Sequence, residues 1–291
     1  MRPFELVEPK SLAEASSILC ERDGAKPIAG GTALLNLIKH GLYVPKTLVN
    51  LKKIAAGEAI TYDAQRGLRI GALATIYDIE ASSLVRRHYP ILSQACHVVA
   101  NIRIRHMATI GGNLAHGDYQ SDPPAVLVAL DAGVELTSTR GQRQISLSDF
   151  FLGSYETALE AGELVSALVI PPLPQDLRGV YLKFTTGSSG ERPCAGIAAM
   201  AQVENGICRE LRLAVGAVSP KPVRVHAAEA MARGRELTRE LIDRVAAEAV
   251  SPIDPIDDVR GPADYKRHLV RVLTRRAIAA CIGVNGSERE Q

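Results

Sequence analysis

Residues 109–124 read TIGGNLAHGDYQSDPP, and residues 27–34 read PIAGGTAL. Each stretch sets two adjacent glycines after an apolar residue and follows them with a hydrogen-bonding side chain, Asn113 in one and Thr32 in the other. Paired glycines accept positive φ and can turn successive backbone N–H groups inward, which makes a concave nest for an anion. The candidates in the first stretch are Pro27, Ile28, Ala29, Gly30, Gly31, Thr32, Ala33 and Leu34, with a helical pattern starting at once, a combination that suits a pyrophosphate. Those in the second are Thr109, Ile110, Gly111, Gly112 and Asn113, and a Cβ at Gly111 is expected to fill the space a phosphate would need. Neither stretch matches the G-x-G-x-x-G or the G-x-x-x-x-G-K-[ST] pattern. A plain strand-to-helix turn accounts for either one alone, whereas two with the same grammar suit two walls of one phosphate site. Asp122 is a poor neighbour for phosphate and a good acceptor for a sugar hydroxyl or an amide. It suits equally well the N-cap of a helix opening at Pro123.

Other chemistries find little support. The five cysteines are scattered, none within four residues of another, so no zinc or iron–sulfur ligand run exists and buried thiols in a reducing compartment are expected. The seven histidines show no H-E-x-x-H spacing, and there is no G-x-S-x-G. Arg103, Arg105 and His106 form a basic cluster before the second glycine pair that could face a partner subunit or the phosphates, with a solvated face the expectation. The arginines of RRHY and TRRA are expected on exposed helix surfaces.

Composition bounds the function class. A chain of 291 residues with 46% hydrophobic and 23% charged residues can build two domains, or one in layers, around a sizeable core. The net charge of +2 and 4% aromatic content argue against nucleic-acid binding. The stretch MRPFELVEPKSLAEA holds no apolar segment of signal-peptide length and no apolar run reaches membrane-spanning length, so a cytoplasmic location is expected.

The elements that must position these residues are legible in outline. Ser11 with Glu14 predicts a capped helix to about Cys20. KTLVNL and LRIGAL read as strands, and YDIEASSLVRRH, ILSQACHVVAN and PPAVLVALDAG as helices. From about residue 134 the texture turns β-rich, with Asn205-Gly206 marking a hairpin, and a long helix is expected over 262–281. The prolines of PPLPQD mark a boundary near 171–176. Interleaved and then consecutive strands point to α+β layers.

AGGT before a helix, then TIGGNLA with Asp122 nine residues past Asn113, resembles the FAD-binding medium subunit of the molybdenum hydroxylases, the family of the flavin subunits of xanthine dehydrogenase and aerobic carbon monoxide dehydrogenase. The resemblance extends through GELVSALVIPP, YLKF, ERPCAGIAA and GPADYKRHLVRVLTRRA, nearly the whole chain. It implies an α+β fold: a two-lobed PCMH-type FAD-binding domain over 1–175, with subdomains of about 1–55 and 56–175, then a C-terminal domain over 176–291 with a small antiparallel sheet and helices. It also implies that both glycine stretches hold the FAD pyrophosphate mainly through backbone amides and that Asp122 contacts the cofactor. Leu164 would pack near the flavin, and Lys183 would sit near the ring system, where a cation would stabilise the charge of the reduced ring. From the residues alone, Leu164 is simple strand core and Lys183 an exposed strand lysine.

By the same resemblance, a large molybdopterin-binding subunit and a small [2Fe–2S] subunit are partners, in a dimer of heterotrimers. Electrons would leave to an external acceptor such as NAD, a quinone or oxygen, and no acid–base residue for the substrate chemistry is expected on this chain. Two positions depart from the pattern: Val99 stands where xanthine dehydrogenases carry an aromatic residue, and 192–196 differ from the usual acidic-apolar version. The cysteine cluster of the benzoyl-CoA reductase branch is missing. A self-sufficient FAD reductase, similar to the cell-wall enolpyruvyl reductases, and a flavin-free assembly protein are the alternatives. The two glycine stretches argue against the second.

Overall fold

Strand Thr47–Asn50 carries three consecutive buried residues because it lies at the centre of a parallel sheet, between Glu5–Val7 and Ala25–Ile28. The computed structural model containing it describes residues 2–54, 57 and 59–283. Its contacts divide the chain into two units. The first comprises the chain to Val85, Asn101–Asp118 and Ala132–Pro172; the second comprises Arg86–Ala100, Tyr119–Asp131 and the chain from Leu173. Helices and sheets mix in both, the α+β class that the sequence predicts.

In the first unit, helix Leu12–Glu21 starts where the cap signature places it: Ser11 Oγ accepts from the Glu14 amide at 3.1 Å. The Glu14 carboxylate reaches back to the amide of Lys10 rather than of Ser11, at 2.7 Å. A five-stranded antiparallel sheet follows, with Leu164–Ile170 at its centre between Gly67–Gly71 and Gly133–Ser138. Ser16 ties this sheet to the first helix. Its buried hydroxyl donates to Gly162 O at 2.7 Å and accepts from the Thr139 amide at 3.0 Å.

The second unit is built on the four-stranded antiparallel order Arg178–Phe184, Ala195–Glu204, Ile207–Gly216, Val223–Arg224. Asn205 and Gly206 both take positive φ, 51° and 80°, as the tight turn between its two longest strands requires. Helix Ala263–Cys281 buries Val270, Ala277 and Ile278 in one core with Ile197, Ala199, Leu213 and Val215. Helix Asp122–Ala129 is buried along its whole length, and arginines hold its C-terminal end. Arg224 Nη1 donates to Val128 O at 3.1 Å and pairs with Asp131, while Glu229 accepts from Arg224 Nε.

Four of the five thiols are buried, as the scattered pattern implies, but Cys20 is exposed near the end of its helix. Burial raises the pKa of Cys194 and Cys208 and pushes Cys281 up to about 12. The thiolate is the reactive form. Iodoacetamide at neutral pH should therefore label Cys20 first and leave Cys281 untouched in the folded chain. Mass spectrometry of the labelled peptides checks this, and early label on Cys281 would contradict the packing.

Candidate functional site

The strand Ala25–Ile28 ends at the first glycine pair, and the chain turns there before helix Leu34–Lys39. Gly31 takes φ +72°, a region that Cβ-bearing residues disfavour. Gly30 answers a different need. A Cβ there would lie 2.0 Å from Met107 O and 2.9 Å from Ala108 Cα, so its Cα is pressed against the backbone just before Thr109. The two glycine stretches are neighbours within the first unit.

No side chain caps helix Leu34–Lys39, whose N-cap position is Ala33. Among the described residues, the amides of Gly30, Gly31, Thr32, Ala33 and Leu34 donate to no protein acceptor. Five successive N–H groups, all on partly buried residues, are thus left as donors of the kind that a pyrophosphate takes.

The second stretch differs from the row of available backbone amides that the resemblance implies. Thr109 is the N-cap of helix Ile110–His116, with Oγ1 accepting from Gly112 N at 3.2 Å. Ile110 N donates to Ala74 O at 2.9 Å, Gly111 N to Ala72 O at 2.8 Å, and Asn113 N to Thr109 O at 2.9 Å. These amides are engaged inside the unit, so the stretch offers a fixed wall and side chains in place of a second amide nest. Neither glycine has positive φ.

Gly111 is buried, and its Cβ would meet Ala72 Cβ at 2.6 Å and Ala72 O at 2.8 Å rather than an open cradle. Gly112 is exposed, with Thr109 Oγ1 its near neighbour at 2.9 Å. Gly111→Val should therefore destabilise the fold by about 1–3 kcal/mol through overpacking, and more than Gly112→Val does. Urea unfolding of the two variants checks the order.

Leu164 is 4% exposed and packs with Ala15, Val49, Leu51 and Ile54, which places it in the core of the first unit. Arg105 also departs from expectation. It is buried, with Nε 2.8 Å from Glu80 Oε2, while Arg103 stays exposed and His106 stacks on Tyr77. The arginines at 86, 87, 275 and 276 are exposed, as expected.

Asp122 and Lys183 meet in the second unit. Asp122 is the first residue of its helix, the N-cap being Ser121, so its carboxylate is not the predicted cap. Its Oδ2 accepts from Lys183 Nζ at 3.0 Å and its Oδ1 from Tyr181 Oη at 2.8 Å. Lys183 is not the exposed strand lysine of the bare sequence reading: the two charged side chains are 7% and 5% exposed. The ammonium also donates to Val98 O at 2.9 Å, beside Val99. Burial, and then the charge of Asp122, hold the Tyr181 phenol well above the usual tyrosine range, so it stays a proton donor.

Comparison with known proteins shows the family of the chain. The family described as FAD binding domain in molybdopterin dehydrogenase matches residues 2–173, and the CO dehydrogenase flavoprotein C-terminal domain matches residues 183–281. The chain belongs to this FAD-binding family. It is 31% identical to the glyceraldehyde dehydrogenase medium chain of Sulfolobus acidocaldarius, covering 94% of this chain and 96% of that one. It is 32% identical to the carbon monoxide dehydrogenase medium chain of Afipia carboxidovorans, over 94% and 95%. A chain in the solved carbon monoxide dehydrogenase of Hydrogenophaga pseudoflava superposes with a TM-score of 0.93 at 32% identity, covering 98% of this chain and 99% of that one. The family's cofactor is FAD, and the stretch Gly30–Leu34 fits its pyrophosphate, with N–H donors unspent within the protein and Gly30 packed too closely on Met107 to carry a Cβ.

Sequence reasoning missed Tyr181. The signal was present, since Tyr181 and Lys183 lie two apart on strand Arg178–Phe184 and so share a face.

Proposed function

We propose that this chain is the FAD-binding electron-transfer subunit of a molybdenum hydroxylase. In this reading it takes electrons from [2Fe–2S] clusters on a small partner subunit, while a large partner carries molybdopterin and the substrate site. The complex is a cytoplasmic dimer of heterotrimers, and electrons leave to NAD, a quinone or oxygen. The observation that carries the reading is the row of five amides from Gly30 to Leu34 without protein acceptors, backed by Gly30 on Met107.

FAD supplies the redox chemistry when bound. The residues of this chain bind it and set its surroundings. The nest takes the pyrophosphate through N–H donors, with Pro27, Ile28 and Ala29 leading into it. Thr109, Ile110, Gly111, Gly112 and Asn113 form the rigid neighbouring wall. Asp122 accepts from the cofactor's hydroxyl groups, Lys183 brings positive charge to the ring system, and Leu164 lends apolar surface beside it. The FAD-binding domain ends near residue 175. Among the described residues no helix is long and apolar enough to cross a membrane.

The test is direct. The full-length chain, purified with whatever accompanies it, should be yellow, release FAD on denaturation, and bring down a molybdopterin subunit and an iron–sulfur subunit. A colourless chain that takes up no added FAD would overturn the assignment.

A further inference from the structure

Two buried donors converge on the Asp122 carboxylate in the second unit, and the reading above uses only one of them, the Lys183 ammonium. The other is the phenol of Tyr181. We infer that Tyr181 is a positioning residue: its hydroxyl fixes the Asp122 carboxylate, and through it the charge that Lys183 presents to the flavin. The inference rests on the reading that Lys183 faces the flavin.

The geometry fixes Tyr181 at both ends. Strand pairing sets the Tyr181 backbone opposite Ala198, and the Tyr181 amide donates to Gln94 Oε1 at 3.0 Å, so the ring enters from a fixed point. At the other end, a Cβ on Gly196 would stand 2.5 Å from Tyr181 Oη. That glycine leaves room for the hydroxyl to lie 2.8 Å from Asp122 Oδ1. The phenol, only 4% exposed, keeps its proton because burial and the neighbouring carboxylate oppose ionisation.

Asp122 therefore divides its charge between a neutral donor on Oδ1 and the ammonium on Oδ2. Removing the phenol donor leaves a larger share of that charge to Lys183. The ammonium is then more fully neutralised, and less positive potential remains for a ring that gains negative charge on reduction. Tyr181 thus acts on the flavin without touching it.

The experiment uses the full-length chain loaded with FAD and measures its midpoint potential beside FAD content. Tyr181→Phe, which loses only the hydroxyl, should keep FAD and move the potential to a more negative value. Gly196→Ala, which pushes the hydroxyl off the carboxylate, should move it the same way. Lys183→Gln should move it further in that direction.

A potential unchanged in both Tyr181→Phe and Gly196→Ala, with Lys183→Gln shifted, would overturn the role of Tyr181 and leave the functional reading standing. No shift in Lys183→Gln would overturn the placement of Lys183, and this inference with it. Failure of the wild-type chain to take up FAD would overturn the functional reading itself. Gly196→Ala also covers the case in which the phenylalanine variant fails to fold, because it retains the phenol.

Discussion

Gly30→Ala should weaken FAD binding on the order of a hundredfold or more, about 2.7 kcal/mol. A new Cβ would lie 2.0 Å from Met107 O and 2.8 Å from its carbonyl carbon, and neither is the loose end of a side chain. Either the nest moves away from its neighbour or the segment leading to Thr109 yields, and both disturb the row of donors from Gly30 to Leu34. Two neighbouring substitutions separate this clash from general glycine effects. Gly31→Ala meets Leu35 Cδ1 at 3.1 Å and Ile28 Cδ1 at 3.3 Å, side-chain ends that can shift, and adds the left-handed strain of φ +72°, about 1–2 kcal/mol. Gly41→Ala carries the same kind of strain at φ +71° with nothing within 4 Å, outside the nest. It should lower stability and leave FAD affinity alone. Fluorescence titration of the apo-chain with FAD gives the affinities, and circular dichroism checks the fold. Wild-type affinity in Gly30→Ala would show that the phosphate lies elsewhere.

How far the sequence reaches is clear from these residues. Local rules recover local structure: Ser11 caps its helix, Asn205-Gly206 turns its hairpin, and the helix after Pro262 runs to Cys281 as its periodicity predicts. The glycine pairs are visible as a pattern, but their mechanics are not. Thr109 looks like part of a loop because two glycines suggest freedom. It becomes a helix cap because Ala72 and Ala74 take up the amides that follow, and those contacts come from more than thirty residues away. Arg105 looks solvated until Glu80 is brought beside it. The pairing of Asp122 with Lys183 spans 61 positions and depends on sheet register, which no local periodicity encodes. The misread positions share one trait: a partner distant in sequence decides the fate of a polar group.

Asp122→Asn should destabilise the folded chain by roughly 3–5 kcal/mol, the largest single loss expected outside the glycine nest. Asparagine keeps nearly the same volume, and its amide oxygen can still accept from Tyr181 Oη, a bond worth only about 0.5–1.5 kcal/mol net. The substitution therefore isolates the charge. Lys183 is 7% exposed and would be left with Val98 O and a neutral amide as its polar neighbours from this cluster. A buried ammonium without its counterion either bears that desolvation cost or sheds its proton. Adding Lys183→Met removes the orphaned charge, and the double variant should regain much of the loss, because replacing both members of a buried pair by well-packed neutral groups is often close to neutral. Urea midpoints across the four members of this cycle give the coupling energy directly. Simple additivity would mean that the two charges do not depend on each other for burial. Strong coupling would tie the stability of the second unit to the pair assigned to the cofactor, so that variation at Asp122 cannot tune FAD without also acting on the fold.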